Sequence, residues 1–89
     1  MPSEDSIVRA IARIAERDYS KWTIGVTDEP LRRKSGHGNP RVWHHWNANT
    51  EKVARRIERH LINKGMKGGG GGPGGADYVY IFTRSRLRG

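Results

Sequence analysis

Eight of the chain's twelve glycines fall within one run, KGMKGGGGGPGGA at residues 64–76. Ordering such a run into a helix or a packed strand carries a large backbone entropy cost, so it reads as a loop. It separates a stretch of helices and strands ending near residue 64 from one further strand, Tyr78-Val79-Tyr80-Ile81-Phe82-Thr83, marked by its β-branched and aromatic residues. The loop therefore carries the chain back to a sheet built from earlier residues. It is not a phosphate-binding P-loop: no Gly-Lys-Ser/Thr follows a strand, and the segment leads into a strand instead of a helix.

Upstream of the loop, residues 3–18 place Ile7, Val8, Ile11, Ile14 and Ala15 at helical spacing. Ser3 is positioned to cap that helix, with Glu4 and Asp5 in the first turn facing the positive end of the dipole. KWTIGVT, residues 21–27, reads as a short strand. Asp28-Glu29-Pro30 opens a second helix over roughly 30–36, which Gly36 and Gly38-Asn39-Pro40 end. RVWHHW, residues 41–46, reads as a further extended segment. A third helix runs from about Thr50 to Lys64: Thr50 or Asn49 caps it, Glu51 lies in its first turn, and Gly65 stops it. Its apolar stripe is Val53, Ala54, Ile57 and Leu61. These elements predict an α+β class, a small three-stranded sheet with helices packed on it. Residues 1–83 form a single domain on this reading, with the Gly-rich loop 65–75 inside it and 84–89 as a basic C-terminal tail.

A chain of 89 residues, 34% of them hydrophobic, builds one small domain with a thin core. With no Cys, disulfides and thiolate zinc fingers are excluded. No apolar run approaches the roughly 20 residues that span a bilayer, and the acidic N-terminus lacks the basic-then-apolar pattern of a signal peptide. The expectation is a soluble, cytoplasmic protein. Charge narrows the partners: seventeen Lys and Arg against nine Asp and Glu leave +8, a balance that favours polyanions. Nucleic acid comes first, DNA before RNA, then an anionic membrane surface or an acidic protein.

Thr23-Ile24-Gly25-Val26-Thr27, followed by Arg33 and then His37, resembles the second half of the GIY-YIG nuclease motif. In that family a Tyr-Ile-Gly strand is followed by Thr, by an Arg and often by a His, and Gly25, Thr27, Arg33 and His37 keep that register. The family's later helix carries a Glu that holds the catalytic metal, and Ala54, Glu58, Leu61 and Ile62 are similar to it. Thr23 stands where the family has Tyr, with Trp22 beside it, and a helix occupies the place of the preceding Gly-Ile-Tyr strand. The spacing from Arg33 to Glu58 is short for the family. Tyr78-Val79-Tyr80-Ile81-Phe82 resembles the missing first strand in its Gly-Val-Tyr-Ile-Phe form. That likeness implies a circular permutation in which strand 78–83 pairs beside strand 22–27 and Tyr80 takes the part of the first-motif Tyr.

The resemblance implies phosphodiester hydrolysis with Mg²⁺ or Mn²⁺ on Glu58 as Lewis acid and template. Arg33 would clamp a non-bridging phosphate oxygen through its planar fork. Tyr80 would help to deprotonate the attacking water, and His37 is an alternative base whose ordinary pKa suits the task better. Helix geometry gives an independent pointer: Glu58 falls on the flank between Ala54 and Ile62 and leans towards the buried side.

Plainer readings stand beside these. Glu58 can pair with Arg55 one turn earlier, Arg33 can be a solvated charge between Arg32 and Lys34, and His37 can simply end a helix. His44 and His45 are neighbours on an extended segment and point to opposite faces, so with His37 and His60 they make no metal site. Trp22, Trp43 and Trp46 are expected in the core, with base stacking the alternative for Trp43 and Trp46. Arg32, Lys34, Arg55, Arg59, Lys64, Lys67, Arg84 and Arg86 are the candidates for tracking phosphates. Three function classes follow: a metal-dependent nuclease, a non-catalytic nucleic-acid-binding module on the same fold, and an adaptor for an acidic protein.

Overall fold

The computed structural model describes residues 3–69 and 75–84. Arg86 and the rest of the tail at 85–89 lie outside the described residues, as do residues 70–74 of the Gly-rich loop. The elements in order are α1 (Glu4–Ala15), a 3₁₀ turn (Tyr19–Lys21), β1 (Thr23–Thr27), α2 (Pro30–Gly36), β2 (Val42–Asn47), α3 (Glu51–Asn63), β3 (Lys67–Gly68) and β4 (Tyr78–Thr83). The fold is a small α+β arrangement of three helices on a mixed, four-stranded sheet of order β2-β4-β1-β3.

Local chemistry sets the helix ends. The Ser3 hydroxyl accepts the Ser6 N–H at 3.1 Å, and the Thr50 hydroxyl accepts the Val53 N–H at 3.1 Å, each meeting one of the amides a helix start leaves without a partner. Helix α1 stops at Ala15, shorter than the expected 3–18. Glu16 and Arg17 both adopt positive φ, 50° and 68°, and turn the chain into the 3₁₀ segment ahead of the sheet. Past α3, Gly65 takes φ 122°, a conformation in which a side chain would be strained.

The last strand enters the middle of the sheet. β4 pairs antiparallel with β1 on one side, Gly25 opposite Tyr80, and antiparallel with β2 on the other, His45 opposite Tyr80. Strand 78–83 thus lies beside strand 23–27, the pairing expected from the sequence. The expected three strands become four because Lys67–Gly68, inside the glycine run read as loop, pairs in parallel with Thr23–Ile24. The Lys67 N–H donates to the Trp22 carbonyl at 3.0 Å and the Gly69 N–H to that of Ile24 at 2.6 Å. The open edge of β1 supplies these partners, and Met66, buried just before, anchors the segment against the glycine entropy cost.

Strand alternation divides the sheet into two faces. Ile24, Val26, Val79 and Ile81 point to one, where Ile7, Ile11 and Ala15 of α1 and Ala54, Ile57 and Leu61 of α3 close over them with Trp22 and Met66. Each large aliphatic side chain so buried contributes about 1.5–3 kcal/mol of hydrophobic stabilisation. A bidentate pair, Arg56 to Glu4 at 2.8 and 2.7 Å, ties α3 to α1. The other face carries Tyr80 and Phe82, also buried, with Trp43 and His37 against them. The tryptophans therefore separate. Trp22 is in the core and Trp46 packs partly against it, whereas Trp43, one residue on from core-facing Val42 and in register with Phe82, stacks on the opposite face. Among the described residues no helix is long and apolar enough to cross a membrane.

Candidate active site

The second face of the sheet brings together residues from α2, β2 and β4. Helix α2 is only seven residues long, with Pro30 in its first turn and His37 at its C-cap. The His37 N–H donates to the Arg33 carbonyl at 3.0 Å, so the two residues lie one turn apart on the same side of the helix. Gly38 and Asn39, at φ 83° and 54°, then end it.

From that position the His37 ring reaches the sheet. It packs against Phe82 with centroids 4.7 Å apart, and its Nε2 lies 3.0 Å from the Tyr80 hydroxyl, within hydrogen-bond distance. Tyr80 is completely buried, its ring stacked on Trp43 at 4.6 Å and 9° and held across Gly25. Its hydroxyl extends towards Gly69, where an added Cβ would come within 2.8 Å of it. The Trp43 indole N–H donates to His45 Nδ1 at 2.9 Å, which orients the stacked ring.

Electrostatics connect the remaining two residues. Burial raises the Tyr80 phenol above its ordinary pKa, the Arg33 guanidinium pulls it down and the Glu58 carboxylate pushes it further up. His37 is lowered by burial, then by the positive charges of Arg33 and Arg84. Glu58 is half-buried on the flank of α3, as the helix spacing predicts; burial raises its pKa and Arg55 partly opposes this. Arg55 itself bonds Glu51 at 3.0 Å, and no salt bridge joins Glu58 to a described residue. At neutral pH the site thus holds a neutral imidazole against a neutral phenol, under the charges of Arg33 and Arg84 and of the desolvated Glu58 carboxylate. Such an imidazole can take up a proton, and such a carboxylate gains from a nearby cation.

That carboxylate is the test of the implied metal. Among the described residues no three His, Asp or Glu side chains gather as an all-protein cage would require. A single carboxylate suits Mg²⁺ or Mn²⁺ that takes its other ligands from water and substrate phosphate, so the donor set fits that kind of ion.

Five of the basic candidates, Arg32, Arg55, Arg59, Lys67 and Arg84, line three clefts. Arg32 and Arg33 line a cleft of about 380 Å³ with Thr27, Asp28, Glu29 and Gly36. Arg55 and Arg59 line another with Glu51, Lys52 and Arg56. Lys67 and Arg84 line a third, and Arg84 spreads over the Phe82 ring while donating to the His37 carbonyl. Lys64 is exposed beyond α3, and Lys34 acts on His45, whose pKa is lowered first by burial. Lys21, which lines the third cleft, carries no local mark in the sequence because it is the first residue of a strand candidate. Trp43, expected in the core, stacks on Tyr80 instead, and the register of β2 with β4 is the signal that places it there. No protein-family model, curated protein or solved structure matches this chain.

Proposed function

We propose that this protein binds nucleic acid and hydrolyses phosphodiesters on a circularly permuted GIY-YIG-like domain. The observation that carries the reading is the His37 Nε2–Tyr80 hydroxyl contact over Gly25, with the charges of Arg33 and Glu58 acting on the same phenol. His37 and Tyr80 meet on one face of the sheet, and the charges of Arg33 and of Glu58, the latter on the flank of the helix packed on the other face, both act on the Tyr80 phenol.

The site's chemistry divides among them. Tyr80 is buried and raised, so it stays a phenol; His37 is half-exposed and lowered, which favours His37 as the base. With Nε2–H donating to the Tyr80 oxygen, the Nδ1 lone pair is free to accept the proton of the attacking water. Tyr80 is then a positioning residue that holds the imidazole ring in place. Arg33 binds the phosphate oxygens and offsets their developing charge. Glu58 holds the divalent ion, which supplies charge neutralisation and activation when bound.

Titration of Mn²⁺ into isotope-labelled protein tests this before any substrate is known. Broadening centred on Glu58, Arg33 and Tyr80, and abolished by Glu58→Ala, is expected. Broadening scattered over exposed acids, with and without DNA, overturns the metal-dependent reading. The alternative, a non-catalytic binding module, draws on Thr23 at the family's Tyr position and on the burial of Tyr80. It requires steep salt dependence with no response to metal or to Glu58→Gln.

A further inference from the structure

Lys21, Lys67 and Arg84 come from the 3₁₀ turn, β3 and the residue after β4, yet together with Ser20, Thr23 and Phe82 they line one open cleft of about 530 Å³. We propose that this cleft is a second phosphate site, which holds a phosphodiester of the same nucleic-acid strand that Arg33, His37 and Glu58 engage. The inference rests on the nucleic-acid reading above, though not on catalysis.

Among the described residues no acidic side chain lines this cleft, unlike the one beside Arg33, which includes Asp28 and Glu29. Lys67 makes no salt bridge with a described residue. Lys21 pairs with Asp18 at 3.1 Å, but both side chains are about half exposed, and such a pair yields readily to a phosphate. Arg84 is already oriented by the Phe82 ring, 4.9 Å from its guanidinium carbon, and by the His37 carbonyl. Thr23 adds a hydroxyl donor, and so does Ser20 when it releases Asp18, which its hydroxyl bonds at 3.2 Å. Three cations without a competing carboxylate in the lining, one of them pre-oriented, make an anion site.

Its place suits a strand passing through both sites. Thr23 and Gly25 share a face of β1, and two residues along a strand cover about 6.8 Å. Phosphates of one strand advance about 3.4 Å each along the axis of duplex DNA. A phosphate at the cleft is therefore within about two nucleotides of one at Tyr80. Backbone bonds hold both lysines: the Thr83 hydroxyl donates to the Lys21 carbonyl at 2.6 Å, and the Lys67 N–H to that of Trp22 at 3.0 Å. Side-chain substitution leaves those bonds in place.

The test is titration of a fluorescent DNA duplex with the full chain in EDTA, where binding is read without metal or cleavage. Lys21→Ala/Lys67→Ala should weaken binding about tenfold near 50 mM salt and reduce the salt slope by about two, one per lysine–phosphate contact. Arg9→Ala/Arg13→Ala, an equal charge change at exposed positions of α1 outside every cleft described, should produce less than half of either effect. Lys67→Glu alone should bind more weakly than Lys67→Ala. Equal effects of the two double variants overturn the proposal, as does failure of the unaltered protein to bind the duplex. A chain that binds through Lys21 and Lys67 but never cleaves would retain this site and remove the catalytic reading.

Discussion

Tyr80 and Gly25 face each other across the pairing of β4 with β1, and the Tyr80 ring fills the space over the glycine. A Cβ at position 25 would stand 2.5 Å from Cζ of that ring, 2.8 Å from Cε2, and closer still to the hydroxyl. The absence of a side chain therefore lets the ring lie across β1, and this places its hydroxyl 3.0 Å from His37 Nε2.

Gly25→Ala should force the ring aside from a stack with Trp43 that leaves it no exposed surface. Overpacking of this kind costs about 1–3 kcal/mol, readable by urea denaturation. The His37 ring signals should shift at the same time. A loss below about 0.5 kcal/mol with unmoved His37 resonances would show that the contact is not limiting.

Tyr80→Phe keeps the ring and removes the hydroxyl. Stability should fall by only about 1 kcal/mol, the net worth of one hydrogen bond. If Tyr80 orients His37, kcat should drop on the order of 10²-fold with KM little changed. The acidic limb of the pH–rate profile should move too, which a purely structural role would not cause.

His37, His44 and His45 are all held below the ordinary imidazole range, with burial the leading cause in each. Arg33 and Arg84 add to the effect at His37. The unfolded chain takes up these protons near about pH 6.5, whereas the folded chain resists until lower pH. The folded state binds fewer protons in that window, so stability should be full above about pH 6.5 and fall as the pH drops towards the folded values. Glu58, raised by burial, contributes with the opposite sign, so the urea series belongs in a Glu58→Gln background. His37→Gln should flatten part of the slope. A curve that stays level or rises on acidification contradicts this account.

Glu58→Gln removes a charge that burial disfavours. The variant should melt at the same temperature as the parent or higher, and lose both localised Mn²⁺ broadening and cleavage. Stability gained at the expense of activity is what a site group held against its own solvation produces. A loss of more than about 1 kcal/mol would instead make Glu58 a structural partner.

Much of this architecture was legible residue by residue. Ser3 and Thr50 cap where they were expected to, Pro30 and Gly36 bound the short helix, and Tyr78–Thr83 is a strand. Glu58 leans towards the buried side because helix geometry puts it there. The misses have physical causes. Helix α1 stops early at Glu16 and Arg17, whose positive φ no glycine announces. Lys67–Gly68 pairs as a strand because a distant open edge offers hydrogen bonds that no local propensity contains.

Caps, periodicity and glycine stops act within a turn or two, so the sequence alone was enough for the three helices, the longer strands and the basic charge. The meeting of His37 with Tyr80 follows a different rule. It requires β4, the last strand, to insert between β2 and β1 with Gly25 opposite Tyr80. A shift of one residue in that register would turn Tyr80 and Phe82 into the aliphatic core and Val79 and Ile81 out of it. Burial on both faces of the sheet at once selects the register, and that energy exists only once the strands and helices are assembled.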